Sequence, residues 1–169
     1  MRHRLLFVAL ISLAACSSSV SVPQLAPTGD PPTRKASGNP KLDLGSLGDD
    51  AVCSKPEGLE ELCISGLRTA MEDGLGSVLA AQFDGSGDRY LARFRFGKFS
   101  HAQTDGGIAV SFAWRFTLVG QDGEPVLMLD EQTTGPEPYQ PGADPAPAIG
   151  AALDAVLDNV AETMASTEL

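Results

Sequence analysis

One segment of this chain alternates so regularly between apolar and polar or small residues that it predicts a β-strand. From Ile108 to Leu118, an apolar side chain occupies every second position, and a period of two places alternate side chains on opposite faces of a strand. Asp105-Gly106 and Asp122-Gly123 flank the segment, and Asp-Gly is a strong signal for a hairpin turn. We therefore predict an antiparallel meander with strands at 90–101, 108–118 and 126–133.

The two turns also predict which residues of the meander oppose each other. The apolar phase slips by one residue at Gly97, which indicates a β-bulge. With two-residue turns and this bulge, Arg95 lies opposite Arg115, and Arg115 lies opposite Asp130. Since directly opposed like charges are unfavourable, we expect Asp130 to relieve both arginines. The other predicted pairs are Phe96 with Trp114, Phe99 with Phe112, Phe116 with Leu129, and Leu118 with Leu127.

Two helices are predicted to flank the meander. Apolar and small residues at helical spacing predict a helix over 59–81, and its row of Gly66, Ala70 and Gly74 indicates that another element packs close there. A proline-rich loop then leads to a second helix that begins near Asp144-Pro145 or at Pro147. Its apolar stripe consists of Ile149, Leu153, Val156, Leu157, Val160 and Met164.

These elements predict one α+β domain over 41–169. It has two layers, a three- to four-stranded antiparallel meander and two helices packed on the aromatic face of the sheet. A short edge strand around 42–47 would be the fourth strand.

The first sixteen residues form a distinct segment. A basic start at Arg2 and Arg4 precedes an apolar run that ends in Leu13-Ala14-Ala15-Cys16, and this run is far shorter than the ~20 residues of a membrane-spanning helix. The segment resembles a bacterial lipoprotein signal peptide. The resemblance implies that residues 1–15 are removed, that Cys16 is lipidated, and that the chain works in the cell envelope. With Ser17 next, it implies sorting to the outer membrane, facing the periplasm, with the cell surface as an alternative.

The residues that follow Cys16 are rich in Ser, Pro, Thr and Gly. This composition predicts a disordered tether over 16–40 that lets the domain stand off the membrane.

Two further cysteines, Cys53 and Cys63, predict a disulfide in an exported protein. A competing pattern is the capping box that begins at Ser54, which would start the helix there and separate the two cysteines by ~14 Å along its axis. A disulfide needs Cα atoms within ~7 Å of each other. We favour the disulfide and a helix that begins near Leu59.

The net charge and the motif content limit the classes of function that the sequence predicts. Removal of residues 1–15 takes away two arginines and leaves ten basic against 22 acidic residues, a net charge of −12, which argues against a nucleic-acid partner. The sequence predicts no catalytic residues, no cofactor and no metal site. We interpret His101 as a partly exposed structural residue and 84–88 as a plain turn.

A group of arginines is the remaining candidate site. Arg93, Arg95 and Arg115 share the sheet face opposite the aromatic residues. They could bind an anionic lipid or a protein partner, or they could form a solvated face whose charges are paired.

The order of signal, lipidated cysteine, helix, meander, Pro-rich loop and helix resembles envelope accessory lipoproteins. It is similar to the LPS-assembly lipoprotein and to auxiliary lipoproteins of ABC-type transport systems, with 110–118 and Asp122-Gly123 as the best local match. The resemblance implies a non-enzymatic role through an envelope protein partner, bound at a sheet edge or the open sheet face. The alternative is a lipoprotein that itself binds a small amphiphile.

Overall fold

The computed structural model describes residues 18–22, 25, 35–48 and 50–167. It confirms an α+β fold with two sheets, ordered β1-β4-β3 and β2-β5-β6-β7. The elements are β1 (Ser18–Ser21), β2 (Asn39–Asp43), β3 (Val52–Ser54), β4 (Leu62–Ser65), α1 (Leu67–Gln82), β5 (Arg89–Thr104), β6 (Gly107–Val119), β7 (Pro125–Thr134) and α2 (Ala146–Ser166).

The meander has the predicted register. All of the predicted pairs across β5, β6 and β7 are present, and the register shifts between Phe96 and Lys98, at the bulge expected for Gly97. The first turn is the predicted two-residue turn, because Thr104 pairs with Gly107.

The second turn is longer than predicted. The amide of Gly120 donates to the Glu124 carbonyl at 2.9 Å, the amide of Gly123 donates to the Gly120 carbonyl at 3.1 Å, and Gly123 has φ 85°. This is a three-residue loop that ends in a left-handed glycine. An extra residue on β7, Val126, then restores the predicted pairing of Leu118 with Leu127.

The prediction of a purely antiparallel sheet is wrong. β2 pairs with β5 in parallel, and β1 pairs with β4 in parallel in the second sheet. The predicted edge strand around 42–47 exists as β2, displaced toward the N-terminus. Parallel partners need a long crossover, which contains α1 in the case of β2 and β5. The sequence therefore contains no short turn motif that would predict these parallel pairs.

The predicted start of the first helix is also wrong. Residues 62–65 form β4, in which Leu62 and Ile64 are buried, and α1 begins after Gly66, which has φ 75°. The capping-box alternative at Ser54 is wrong as well, since Ser54 ends β3. The apolar residues of this segment fit a helical spacing and a period of two equally well. The disulfide favours the strand, because it links β3 to β4.

The helices cover the aromatic face of the four-stranded sheet. The predicted stripes are buried over Leu67–Leu79 of α1 and throughout α2. At Gly74 a Cβ atom would lie 2.5 Å from Cδ1 of Leu157, so the absence of a side chain lets the two helices approach each other, as the row of small residues predicted. Gly66 does not have the predicted role within the helix, because it is the N-cap residue of α1.

Part of the segment that is predicted to be a tether lies in the fold. The amide of Ser18 donates to the Glu61 carbonyl at 3.1 Å, Leu25 is buried, and Ala36 forms a bridge with Phe83. Backbone hydrogen bonds can add a strand to a sheet edge whatever its side-chain pattern, which explains how a Ser-rich segment joins the sheet.

Cys16 and the signal segment lie outside the described residues. No helix among those residues is long and apolar enough to cross a membrane.

Candidate functional site

The three predicted arginines lie together on the uncovered side of the four-stranded sheet. We call this side the open face. Arg95 and Arg115 are directly opposed across β5 and β6, and Arg93 is opposite Thr117. Their side chains are 41–56% exposed. The structure therefore brings the three guanidinium groups to one surface.

Each arginine has a carboxylate partner. Arg115 pairs with Asp130, its Nε donating to Oδ2 at 3.0 Å. Arg95 instead pairs with Asp43 of β2, with 3.0 Å between Nη2 and Oδ2, and Arg93 lies 4.0 Å from the same oxygen. The expectation that Asp130 relieves both Arg95 and Arg115 is therefore wrong for Arg95. Asp43 was missed because the parallel pairing that carries it here leaves no local sequence signal.

Arg95 is held more firmly than its neighbours. Its Nη1 also donates to the carbonyls of Asp43 at 3.1 Å and Phe94 at 2.9 Å. Gly45, with φ 57°, lies against the guanidinium so closely that a Cβ atom there would be 2.5 Å from Cζ. The hydrogen bond from Arg95, followed by that from the Gly45 amide, lowers the pKa of Asp43. Arg95 thus fixes the loop after β2 to the sheet.

The charge arrangement decides what the open face can bind. Two carboxylates lie among the three guanidinium groups and would repel a phosphate or an anionic head group. Beside them, Met128 is 59% exposed and Val126 is 44% exposed, and they are the exposed large apolar residues of the described part of the chain. A surface with both charge signs and an apolar margin is typical of a protein interface.

The edge of the sheet adjoins this margin. β7 is the last strand in the order β2-β5-β6-β7, so within the described ranges no strand pairs with its outer edge. Such an edge can accept a strand from a partner.

A separate cavity of about 420 Å³ lies at the opposite end of the sheet from the Asp122-Gly123 turn. We call it the β1 cavity, because Ser18 of β1 lines it. The other lining residues are Gly58, Leu59, Glu60, Glu61, Leu62, His101, Ile108, Tyr139, Pro141, Gly142, Ala143 and Pro145.

His101 is the distinctive polar residue of this cavity. It is only 3% exposed, so the prediction of partial exposure is wrong. Its side chain points inward because it shares the phase of Phe99, whose ring stacks on it at 6.0 Å. Nε2 lies 3.1 Å from the Glu60 carbonyl. A carbonyl can only accept, so Nε2 carries the proton and Nδ1 is an acceptor.

That acceptor has no partner. Nδ1 of His101 is a buried side-chain atom without a hydrogen bond among the described residues. Burial lowers the pKa of His101 more than the Glu60 carbonyl raises it, so the imidazole is neutral at pH 7. A buried acceptor without a partner is costly in a folded protein.

The remaining predicted features have structural roles. Cys53 and Cys63 form the predicted disulfide between β3 and β4, with Cα atoms 4.0 Å apart. Residues 84–88 form the turn between α1 and β5, in which Asp84 accepts from the amides of Gly38 and Ser86. In the described ranges, no group of three or more His, Cys, Asp or Glu residues could hold a metal ion.

No family model matches the sequence, and no curated protein matches it significantly. Among solved structures, the fold is similar to that of protein XCC0632 from Xanthomonas campestris, of the family DUF330, with a TM-score of 0.54 and 14% identity over 88% of this chain and 94% of that chain. An uncharacterized protein gives a TM-score of 0.47 at 14% identity over 88% and 98%. A minor lipoprotein from Acinetobacter baumannii gives 0.37 at 13% identity over 77% and 89%. At these identities the first similarity establishes a shared fold only.

Proposed function

We propose that this chain is a lipoprotein anchored through Cys16 in the bacterial cell envelope. It faces the periplasm from the outer membrane and has a non-enzymatic accessory role in envelope transport or assembly. The Leu13-Ala14-Ala15-Cys16 motif is the observation that carries this proposal. The disulfide between Cys53 and Cys63 supports export, because disulfides persist in oxidising compartments.

The partner is a protein bound at the outer edge of β7 and the adjoining open face. The exposed side chains of Met128 and Val126 supply apolar contact area, and the charge pairs beside them supply specificity. The carboxylates of Asp43 and Asp130 argue against an anionic lipid at this surface. Arg93, Arg95 and Arg115 therefore serve as polar contacts of a protein interface.

Anchoring is tested by the variant Cys16→Ser. We expect the wild-type chain to partition with membranes and to carry acyl groups by mass spectrometry, and the variant to be released in unacylated form. A Cys16→Ser chain that still partitions with membranes would contradict the anchor.

The interaction surface is tested by photocrosslinking in intact cells. A photoreactive residue is placed at Met128 or Val126, and the matched control is placed at Glu72, which is exposed on α1. We expect both β7 positions to crosslink the same envelope protein and the Glu72 position to leave it unlabelled. Equal labelling from all three positions, or adducts with lipid alone, would contradict a protein interface at β7.

A further inference from the structure

The β1 cavity lies close to the proposed anchor. Ser18 lines this cavity, pairs with Leu62 of β4, and donates a hydrogen bond to the Glu61 carbonyl. Only Ser17 separates it from Cys16, and consecutive Cα atoms are about 3.8 Å apart, so the Cα atom of Cys16 lies within about 8 Å of that of Ser18. If Cys16 is lipidated, as proposed above, the anchor holds this end of the sheet next to the bilayer. The Asp122-Gly123 turn then faces away, since β6 separates the two ends by roughly 40 Å at 3.3 Å per residue.

The lining of the cavity selects a class of ligand. Leu59, Leu62 and Ile108 offer apolar surface of the kind that holds a hydrocarbon chain. The acidic residues of the lining are Glu60 and Glu61, and its other residues with polar side chains are Ser18, His101 and Tyr139. The described lining residues include no Lys or Arg. The charges of this lining therefore disfavour an anionic head group relative to a neutral or cationic one.

We propose that the β1 cavity binds an amphiphile drawn from the membrane in which the protein is anchored. The hydrocarbon chain of the amphiphile lies among Leu59, Leu62 and Ile108. Its neutral or cationic head group lies beside the acidic residues Glu60 and Glu61 of the lining.

Binding is tested on the mature chain with Cys16→Ser, which keeps every described residue and needs no detergent. Decanol, decylamine and decanoate share one chain length and differ in the head group, and isothermal titration below their aggregation limits measures each dissociation constant. We expect decanol and decylamine to bind at least tenfold more tightly than decanoate. Equal binding of the three probes, or no binding of any, overturns the proposal.

Three variants locate the site. Ala143 is exposed at the rim of the cavity, and Ala143→Trp should weaken decanol binding at least tenfold by obstructing entry. Lys55→Trp is the matched control. Lys55 lines a smaller cavity of about 350 Å³ that also contacts His101, and this variant should bind decanol within twofold of wild type.

The third variant, Glu60→Gln, removes one carboxylate from the lining and should reduce the preference for decylamine over decanoate several-fold, whereas an unchanged preference contradicts the role of the lining charge. Folding is checked by near-UV circular dichroism. The comparison of Ala143→Trp with Lys55→Trp tests the site independently of charge, because unchanged affinity in Ala143→Trp overturns the site.

The orientation is tested separately on the lipidated protein in vesicles. A fluorescent thiol label is placed at Ala143→Cys or, as a control, at Glu124→Cys beside the opposite turn. Cys53 and Cys63 are joined, so only the introduced thiol reacts. We expect spin-labelled lipid head groups to quench the Ala143 label several-fold more strongly, and equal quenching overturns the membrane origin of the ligand. Loss of probe binding with intact anchoring would refute this inference and leave the proposed function standing.

Discussion

The hydroxyl of Thr133 provides the sharpest test of how the β7 edge is held in place. Oγ1 of Thr133 accepts from Nε1 of Trp114 at 2.9 Å and from Nδ2 of Asn159 at 3.1 Å. It thereby joins β6, β7 and α2 at a site where Thr133 is 7% exposed and Trp114 is 2% exposed. The variant Thr133→Val keeps the shape of the side chain and removes the shared acceptor.

The expected cost follows from the two donors. The buried indole N–H of Trp114 would be left unsatisfied, which costs about 1–3 kcal/mol, whereas the partly buried amide of Asn159 can turn toward water. We therefore expect Thr133→Val to lower the free energy of unfolding by about 2 kcal/mol. For a domain of this size the melting temperature should fall by about 4–8 °C.

Thr134→Val is the matched control for urea unfolding of the mature chain. The hydroxyl of Thr134 bonds to that of Ser111 at 2.9 Å, but this pair is exposed and water can replace it. The control should stay within about 0.5 kcal/mol of wild type. If Thr133→Val costs no more than Thr134→Val, the shared hydroxyl does not secure β7, and the reasoning from buried unsatisfied donors fails here.

Three further predictions concern the disulfide, the buried histidine and the open face. Cys53 and Cys63 are ten residues apart, so replacing both with alanine should lower the free energy of unfolding in urea by about 2.7 kcal/mol, and an unchanged midpoint would contradict this. The pKa of His101 is lowered below its ordinary 6.5 in the folded state. Just below pH 6.5, therefore, the unfolded chain takes up a proton on His101 and the folded chain does not. As the pH falls through that value, the free energy of unfolding of wild type should decrease relative to that of His101→Phe, by at most about 1.4 kcal/mol per pH unit. In an NMR titration Asp43 should show a pKa below its ordinary 3.8, and Arg95→Gln should raise that pKa, whereas an identical pKa in the variant would show that Arg95 is not its partner.

Local patterns were enough to predict the meander. Alternation from Ile108 to Leu118, the turn at Asp105-Gly106 and the phase slip at Gly97 fix which residues oppose each other, because a one-residue slip would move every apolar side chain to the wrong face. This constraint explains why the register was right even though the loop at Gly123 is longer than predicted. The shift at Val126 returns the apolar residues of β7 to the buried face.

The candidate sites were less accessible to sequence reasoning. The grouping of Arg93, Arg95 and Arg115 follows from strand alternation, but their pairing with Asp43 depends on a parallel strand distant in sequence. The strand phase that His101 shares with Phe99 is visible in the sequence, but its hydrogen bond with the Glu60 carbonyl depends on a segment distant in the chain. The β1 cavity is likewise formed by segments from five parts of the chain, and no single one of them carries a binding motif.

The sequence by itself determined the α+β class, the antiparallel register, the helix stripes and the resemblance of the first sixteen residues to a lipoprotein signal. Each of these follows from a periodicity or a motif of neighbouring residues. Only the tertiary structure decided that Ser18–Ser21 joins a sheet, that residues 62–65 form a strand, and that His101 keeps an unpartnered acceptor beside a cavity. Parallel pairing, burial and cavity shape depend on contacts between residues far apart in the chain, and a contact of that kind leaves no periodic trace in either partner.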